Sequence, residues 1–166
     1  MMYENIADKL NYVDFFNEFK MPDTFNSWFL VTELHCWMML TRVMNEGADT
    51  GQDGRFLRNC IVEAMWADVQ VRSKKLSIDN PSASRRQVAI LSEQFQATLI
   101  NYDEGLMSDD KILASALWRR FFDMNCEDYS KLEKLVEYVR RTSMLLDNMT
   151  REEVLRQPVE WPKLTG

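Results

Sequence analysis

The longest run of hydrophobic positions lies in Asp23–Met44, and its pattern predicts a helix that is apolar on nearly every side. One stripe at helical spacing holds Phe25, Trp28, Phe29, Cys36, Leu40 and Val43, and the adjoining positions hold Leu30, Leu34, Trp37, Met38 and Met44. A helix that is hydrophobic all round is buried, with partners on several sides. The sequence therefore predicts an all-α fold, a single bundle of six or seven helices around a central hydrophobic helix at about 24–45.

Amphipathic segments on either side of this helix predict its neighbours. A first helix is predicted at Tyr3–Phe19, and it ends before Pro22 because proline disfavours the helical conformation in the residue that precedes it. A third helix is predicted at Arg55–Leu76. Its apolar residues form two stripes, one of Leu57, Cys60 or Ile61, Ala64 and Val71, and one of Val62, Trp66 and Val69. The acidic, glycine-containing segment Asn45–Gly54 is predicted to be a solvated loop.

Capping signals predict the remaining helices. Ser84–Gln87 has the spacing of a capping box and is expected to open a fourth helix, which Gly105 would terminate. Ser108–Asp110 supplies a cap and two acids for the start of a fifth helix. A sixth helix is predicted at Tyr129–Leu146, and Thr150–Glu153 is a second capping box that opens a short seventh helix.

The length of 166 residues predicts one domain over residues 1–166, with an extended tail at 159–166. The three cysteines, Cys36, Cys60 and Cys126, are odd in number and widely spaced, which favours free thiols in a reducing compartment. No apolar run reaches the roughly 18–20 residues of a membrane span. The N-terminus resembles neither a signal peptide nor an Arg-rich presequence. We therefore expect that the chain either has no leader or is a fragment that begins after one.

Charge is distributed unevenly along the chain. The net charge is −6, yet residues 55–100 carry seven basic and four acidic side chains. The acidic balance argues against a DNA-binding protein, which would show a basic footprint. The middle third still has a candidate patch for an anionic surface, formed by Arg72, Lys74, Lys75, Arg85 and Arg86. This patch is either a docking site for an anionic surface, such as RNA phosphate or anionic lipid headgroups, or a solvated helix end.

His35 is the one histidine of the chain, and it limits the possible chemistry. Glu33 and His35 are two possible metal ligands, but a di-iron or zinc site would need further ligands, and the sequence lacks the motifs that would supply them. Cys36 adjoins His35, and neighbouring residues on a helix do not face each other. The sequence thus predicts no metal, no cofactor and no enzymatic activity. Haem held by His35 and a methionine is the remaining cofactor hypothesis.

Aromatic, methionine and charged side chains inside apolar helices are the remaining signal. A charge in such a position is costly unless it is paired, so these residues predict either buried Arg–carboxylate networks or an interface with a partner. Methionine surfaces suit variable hydrophobic clients. The candidate partner-binding residues are Trp37, Met38, Arg55, Arg58, Trp66, Trp118, Arg119 and Phe122, with Trp37, Met38, Trp118 and Phe122 expected on outer faces.

Three long blocks of the sequence resemble a known family. They read PDTFNSWFLVTELHCWMMLTRVMNEG, GRFLRNCIVEAMWADVQVR and YDEGLMSDDKILASALWRRFF. These blocks, in this order, are similar to the ubiquinol–cytochrome c chaperone family, the assembly factors of mitochondrial complex III. The resemblance extends from about Phe15 to Trp161.

The resemblance implies an all-helical, non-enzymatic assembly factor with no catalytic motif to assign. It further implies a position at the matrix side of the mitochondrial inner membrane. The implied partners are a small helical assembly factor, newly made cytochrome b, the mitochondrial ribosome and the inner-membrane surface. The alternative from another class is a helical bundle that binds a small hydrophobic ligand, namely haem, quinone or lipid.

Overall fold

The computed structural model describes residues 2–45 and 52–164. These residues form eight helices and no strand, which confirms the predicted all-α class. The helices are α1 Met2–Lys9, α2 Tyr12–Glu18, α3 Phe25–Met44, α4 Gln52–Leu76, α5 Pro81–Leu106, α6 Asp110–Arg120, α7 Tyr129–Asn148 and α8 Arg151–Arg156. The count exceeds the predicted six or seven because the first predicted helix is in fact two. The predicted acidic loop falls mainly on residues 46–51, which lie outside the described residues.

The break between α1 and α2 has a local cause at Asn11. Its side-chain oxygen accepts a hydrogen bond from the backbone N–H of Asp14 (3.3 Å), so Asn11 caps the start of a new helix. α2 then ends at Glu18, and Lys20 adopts the left-handed backbone region (φ 53°) before the chain turns into α3. The prediction of one continuous first helix over Tyr3–Phe19 is therefore wrong.

α3 is the central helix, as the pattern predicted. Thr24 caps it by accepting from the backbone N–H of Ser27 (3.2 Å). Every residue from 27 to 40 is buried. α3 packs against α1, α2, α4, α5 and α7, which explains why no side of it is polar.

α4 buries one row of side chains, spaced four residues apart, at Ile61, Met65, Val69 and Ser73. The row takes Ile61 from one predicted stripe and Val69 from the other, whereas Cys60 and Val71 of the first stripe are exposed. Neither predicted stripe is buried as a whole, because the packing of α4 against α3 and α5 decides which residues meet the core.

The start of α5 also differs from the prediction. Asn80 is the N-cap and accepts from the backbone N–H of Ala83 (3.1 Å), and Pro81 occupies the first helical turn. Ser84 is not a cap but is buried, with its Oγ 2.8 Å from Ser73 Oγ on α4. The hydroxyl pair thus joins α4 to α5 near the turn between them.

Gly105 does not end α5, contrary to the prediction, because α5 continues to Leu106. Its role is close packing. A Cβ at this position would lie 2.7 Å from the backbone Cα of Leu113 on α6, closer than carbon atoms can approach. Glycine is therefore required where α5 and α6 meet.

The capping box at Thr150 is confirmed, whereas the cap of α6 is Asp109, one of the two predicted acids, and not Ser108. Asp109 accepts from the backbone N–H of Ile112 (3.1 Å) at the start of α6, and Thr150 forms a full capping box with Glu153 at α8. After α8, Val159 is buried and the indole N–H of Trp161 donates to the carbonyl of Asn5 (3.1 Å). The non-helical segment that follows α8 therefore packs back onto α1.

Candidate functional site

A cleft lined by aromatic residues opens between α1, α2, the start of α3 and the end of α4. Its volume is about 590 Å³. The residues that line it are Ala7, Tyr12, Phe16, Asp23, Thr24, Phe25, Trp28, Asp68, Val71, Arg72, Lys75 and Leu76. We call it the aromatic cleft. Consecutive rings pack against each other along it, with centroids 5.6 Å apart for Phe25 and Trp28 and 6.3 Å apart for Tyr12 and Trp28.

Arg72 supplies a positive charge at this cleft and is held in place by two neighbours. Its guanidinium carbon lies 4.5 Å from the ring centroid of Trp28, a cation–π contact. Its Nε donates to the Asp68 carboxylate (3.0 Å), which also accepts from the hydroxyl of Tyr3 (2.7 Å). Burial and this hydrogen bond raise the pKa of Tyr3, so the phenol stays a donor. The charged edge of the cleft is therefore preorganised.

A row of exposed apolar residues continues from the cleft along α4. Val71 lines the cleft and is 50 % exposed, and Phe56 near the start of α4 is 68 % exposed. Cys60 and Ala67, also exposed, fall on the same helical face at spacings of four and seven residues. We call these four residues the α4 stripe. It extends the apolar surface of the aromatic cleft along α4, and the exposed Glu63 lies on the same face between Cys60 and Ala67.

A second basic and apolar surface lies at the turn between α4 and α5. A groove of about 780 Å³ there is lined by residues that include Lys74, Ile78, Arg85 and Val88. Leu76 and Ile78 are 69 % and 76 % exposed. We call residues 74–86 the α4–α5 tip. Four of the five predicted patch residues lie in it, whereas Arg72 lines the aromatic cleft. Lys75 and Leu76 belong to the tip and also line that cleft.

Three of the predicted partner-binding residues are buried. Trp37 is 1 % exposed and Met38 is 2 % exposed, both inside α3. Phe122 is 9 % exposed and packs edge-on against Phe19, with ring centroids 5.8 Å apart. The expectation that these three side chains lie on outer faces is wrong. They were assigned to outer faces because α3 has more apolar residues than one stripe needs, but its neighbours cover it on all sides.

Two more predicted tryptophans are half-buried. Trp66 stacks on Phe29 (5.7 Å between centroids) and meets Phe95 edge-on (5.4 Å), so most of its ring packs α3, α4 and α5 together. Trp118 is half-buried on α6. Each keeps an exposed part, and their partner-binding role stays a prediction.

The predicted arginines lie on different elements. Arg55 is exposed and Arg58 half-exposed near the start of α4, whereas Arg119 is exposed on α6 and donates to Ser115 Oγ (3.2 Å). α4 packs mainly against α3 and α5, and α6 packs mainly against α5 and α7. Their roles in partner binding stay predictions. Sequence reasoning missed Phe25, Trp28 and Phe56, although the helical spacing of Phe56 and Val71 was a signal for the α4 stripe.

Of the embedded charges, for which the sequence left a buried Arg–carboxylate network and a partner interface open, Arg120 forms a buried pair with Glu33. Glu33 is fully buried on α3, and Arg120 of α6 donates to both carboxylate oxygens (2.7 and 2.9 Å). A further Arg120 N–H donates to Gln94 on α5 (2.9 Å). Burial raises the pKa of Glu33, and the two hydrogen bonds from Arg120 oppose that shift. This pair joins three helices and is structural.

His35 is also structural in this arrangement. It is fully buried, its Nδ1–H donates to the carbonyl of Val31 (2.7 Å), and its Nε2 accepts from the hydroxyl of Tyr138 (2.7 Å). The haem hypothesis needs a free imidazole nitrogen, and both ring nitrogens are engaged here. Among residues 2–45 and 52–164, no group of three or more His, Cys, Asp or Glu side chains is arranged to hold a metal ion.

Burial of His35 makes stability depend on pH. It lowers the pKa of His35 from 6.5 to about 4. Between these pH values the imidazole is therefore protonated in the unfolded chain but stays neutral in the folded chain. We expect the contribution of His35 to be fully present above pH 6.5 and lost as pH falls towards 4, with about 1.4 kcal/mol lost per pH unit. Urea unfolding of the wild type and His35→Gln at pH 7 and pH 5 measures this.

The comparison between the two proteins cancels the carboxylates that also titrate in this range. The wild type should lose more free energy of unfolding than His35→Gln between the two pH values. Equal losses in the two proteins would contradict the assignment of the pH dependence to His35.

Comparison with known proteins identifies the family. Residues 17–161 match the family described as ubiquinol–cytochrome C chaperone. The chain belongs to this family. The match agrees with the resemblance in the sequence from about Phe15 to Trp161, and members of the family carry the description of a chaperone rather than of an enzyme.

Curated relatives are similar over most of the chain. Ubiquinol-cytochrome c reductase complex assembly factor 1 of Drosophila melanogaster is 61 % identical over 165 residues, which are 99 % of this chain and 64 % of the relative. The Homo sapiens protein of the same name is 44 % identical over 154 residues, 93 % of this chain and 50 % of the relative. The chain thus spans about half to two thirds of the length of these relatives.

One solved structure shares the fold. The Cbp3 homolog from Brucella abortus superposes with a TM-score of 0.77 at 22 % identity, over 98 % of this chain and 87 % of that one. Protein CBP3, mitochondrial, of Saccharomyces cerevisiae is 27 % identical over 141 residues. In the part of the family fold that this structure describes, no helix has the length and hydropathy needed to cross a membrane.

Proposed function

We propose that this chain is the helical part of a complex III assembly factor, which acts without catalysis on newly made cytochrome b. In this proposal it works with a small helical partner assembly factor at the matrix side of the mitochondrial inner membrane. The relatives named as ubiquinol-cytochrome c reductase complex assembly factors support the general role. Because the chain spans only part of those relatives, the client and partner are inferred for the full-length protein.

The aromatic cleft and the α4 stripe are the observation that carries the proposal. A membrane-protein client presents apolar helices, which need an apolar surface to cover them before they are assembled. Val71, half-exposed at the point where cleft and stripe meet, is central to this surface. The charge of Arg72 over Trp28 borders the cleft and suits the polar end of an incoming helix. We therefore assign the client to this face of the molecule.

A charge placed in the apolar surface tests the assignment. Val71→Glu should lower the amount of newly made cytochrome b that co-purifies with the full-length protein by at least about tenfold, because a carboxylate would have to lose its hydration at the apolar contact. The measurement is pulse labelling of mitochondrial translation products, followed by purification of the tagged assembly factor and quantification of labelled cytochrome b.

Ile100→Glu is the matched control. Ile100 is 59 % exposed on α5 and lies outside the aromatic cleft, so the same substitution there should leave the recovery of cytochrome b near the wild-type level. Thermal unfolding of both variants checks that neither has lost its fold. Equal recovery from Val71→Glu and wild type would contradict the assignment of the client to the cleft.

The partner contacts remain to be assigned within this proposal. Arg55 is exposed and Arg58 half-exposed near the start of α4, so they are our candidates for polar contacts with the small partner. Trp66, Trp118 and Arg119 stay candidates through their exposed parts. Contact with the mitochondrial ribosome is part of the proposal for the full-length protein.

A further inference from the structure

The α4–α5 tip combines the two features that bind a lipid surface. Leu76 and Ile78 are large aliphatic side chains, exposed by 69 % and 76 %. Lys74, Lys75 and Arg85 flank them, and Lys74, Ile78 and Arg85 line one groove. Membrane binding is stabilised when aliphatic side chains enter the boundary of the acyl chains, and it is stabilised further when neighbouring cations contact anionic headgroups.

The charge of the tip differs in sign from that of the rest of the chain. Residues 74–86 carry four basic side chains and one acidic one, Asp79, whereas the whole chain has a net charge of −6. Within residues 2–45 and 52–164, no carboxylate pairs with Lys74, Lys75 or Arg86. An anionic surface would therefore attract the tip and repel the remainder, which fixes one orientation.

The turn that carries the two aliphatic side chains is held in one conformation. The backbone N–H of Ser77 donates to the carbonyl of Ser73 (3.1 Å), and that of Asn80 donates to the carbonyl of Ser77 (3.0 Å). The buried Ser73–Ser84 hydroxyl pair joins the two helices immediately below. These bonds hold the backbone of the turn, from which Leu76 and Ile78 project with most of their side-chain surface exposed.

We infer that the α4–α5 tip docks on an anionic phospholipid surface, with Leu76 and Ile78 entering the lipid and Lys74, Lys75, Arg85 and Arg86 contacting the headgroups. The choice of lipid over RNA follows from the aliphatic residues. A site for RNA binds the phosphates through cations and stacks the bases on aromatic rings. The tip has no aromatic residue, and exposed aliphatic side chains form no favourable contact with phosphate. The inference depends on the proposed function in one respect: the proposed matrix-side position identifies the membrane as the mitochondrial inner membrane.

Vesicle co-sedimentation with the purified chain tests the inference. The chain should bind vesicles of phosphatidylcholine mixed with phosphatidylglycerol and not vesicles of phosphatidylcholine alone. Lys74→Glu/Lys75→Glu should weaken binding by at least about 25-fold, roughly fivefold for each cation lost, and added salt should weaken it further. Leu76→Asn/Ile78→Asn should weaken it by about tenfold or more, because both side chains would stay out of the lipid.

Matched controls carry the same changes elsewhere on the surface. Lys9→Glu/Lys111→Glu changes the charge equally, and Ile100→Asn/Met107→Asn replaces two other exposed apolar residues, so both should bind like the wild type. The inference is overturned if the chain does not bind the anionic vesicles, or if the aliphatic pair can be replaced without loss. Binding of a single-stranded RNA more tightly than of the anionic vesicles would likewise overturn it.

This experiment contains no client and no partner, so its outcome is independent of the proposed chaperone activity. Lys74 and Ile78 line the groove of the tip and not the aromatic cleft. Loss of lipid binding in Lys74→Glu or Ile78→Asn with normal recovery of cytochrome b would therefore leave both proposals intact. Lipid binding by the wild type together with unchanged cytochrome b recovery from Val71→Glu would remove the proposed client site alone.

Discussion

Arg120→Ala is expected to lower the free energy of unfolding by about 3–5 kcal/mol, because it leaves the fully buried Glu33 carboxylate without its partner. The wild-type pair is bidentate, and it is joined by Gln94, so three helices lose a common connection. For a chain of this length the loss corresponds to a fall in Tm of about 10 °C. Chemical denaturation and a thermal scan measure the two quantities.

Two further variants show whether the cost arises from the unpaired charge. Arg119→Ala removes the same charge from an exposed neighbour and should change stability by less than about 0.5 kcal/mol. Glu33→Leu/Arg120→Met removes both charges and should recover most of the loss, since apolar replacements of a buried pair are often neutral. A double variant as unstable as Arg120→Ala would contradict this explanation.

Trp37→Ala should also cost about 3–5 kcal/mol, as expected when the largest fully buried side chain of a core is truncated. The indole ring packs on Tyr102 with centroids 5.0 Å apart, and its N–H donates to the Asp103 carboxylate (2.8 Å). Replacement by alanine leaves a cavity between α3 and α5 and removes this hydrogen bond. Urea unfolding of the purified variant measures the loss.

The contrast with an exposed aromatic residue makes this test specific. Phe56→Ala, at a position that is 68 % exposed, should leave stability within about 0.5 kcal/mol of the wild type. If Trp37→Ala were as stable as the wild type, Trp37 would not be a core residue and the original expectation of an outer-face position would return.

The helices were predictable where local chemistry decides them. The all-apolar pattern of Asp23–Met44 predicted α3 and its central position, because a helix without a polar face must be surrounded. The capping box at Thr150 was predicted, and the start of α6 was placed within one residue of its cap Asp109, because the bonds that form these caps join residues three apart in sequence. Such signals do not depend on which helices later pack together.

The errors occurred where tertiary contacts decide. Glycine often ends a helix, but Gly105 is needed because α6 approaches α5 closely at this position, and no local sequence pattern shows that contact. Ser84 and Gln87 have the spacing of a capping box, but the helix begins earlier, with Asn80 as its cap and Pro81 in its first turn. The Ser84 hydroxyl instead contacts that of Ser73. The partner of each residue is distant in sequence or on another helix, so its identity required the structure.

The candidate site was only partly predictable for the same reason. The basic residues of the α4–α5 tip were visible as a cluster in the sequence, and the structure shows that exposed aliphatic residues accompany them. Trp37 and Met38 could not be separated from surface residues, because apolar composition does not reveal how many neighbours a helix has. The aromatic cleft combines residues of four helices and has no contiguous sequence signal.

Site-specific photocrosslinking tests the central claim, that the aromatic cleft receives newly made cytochrome b, most directly. A benzophenone amino acid is placed at position 71 in the full-length protein, and at position 100 in a matched control, during labelled mitochondrial translation. The account predicts a crosslink to cytochrome b from position 71 and none above background from position 100. No crosslink from position 71, or equal crosslinks from both positions, would contradict it.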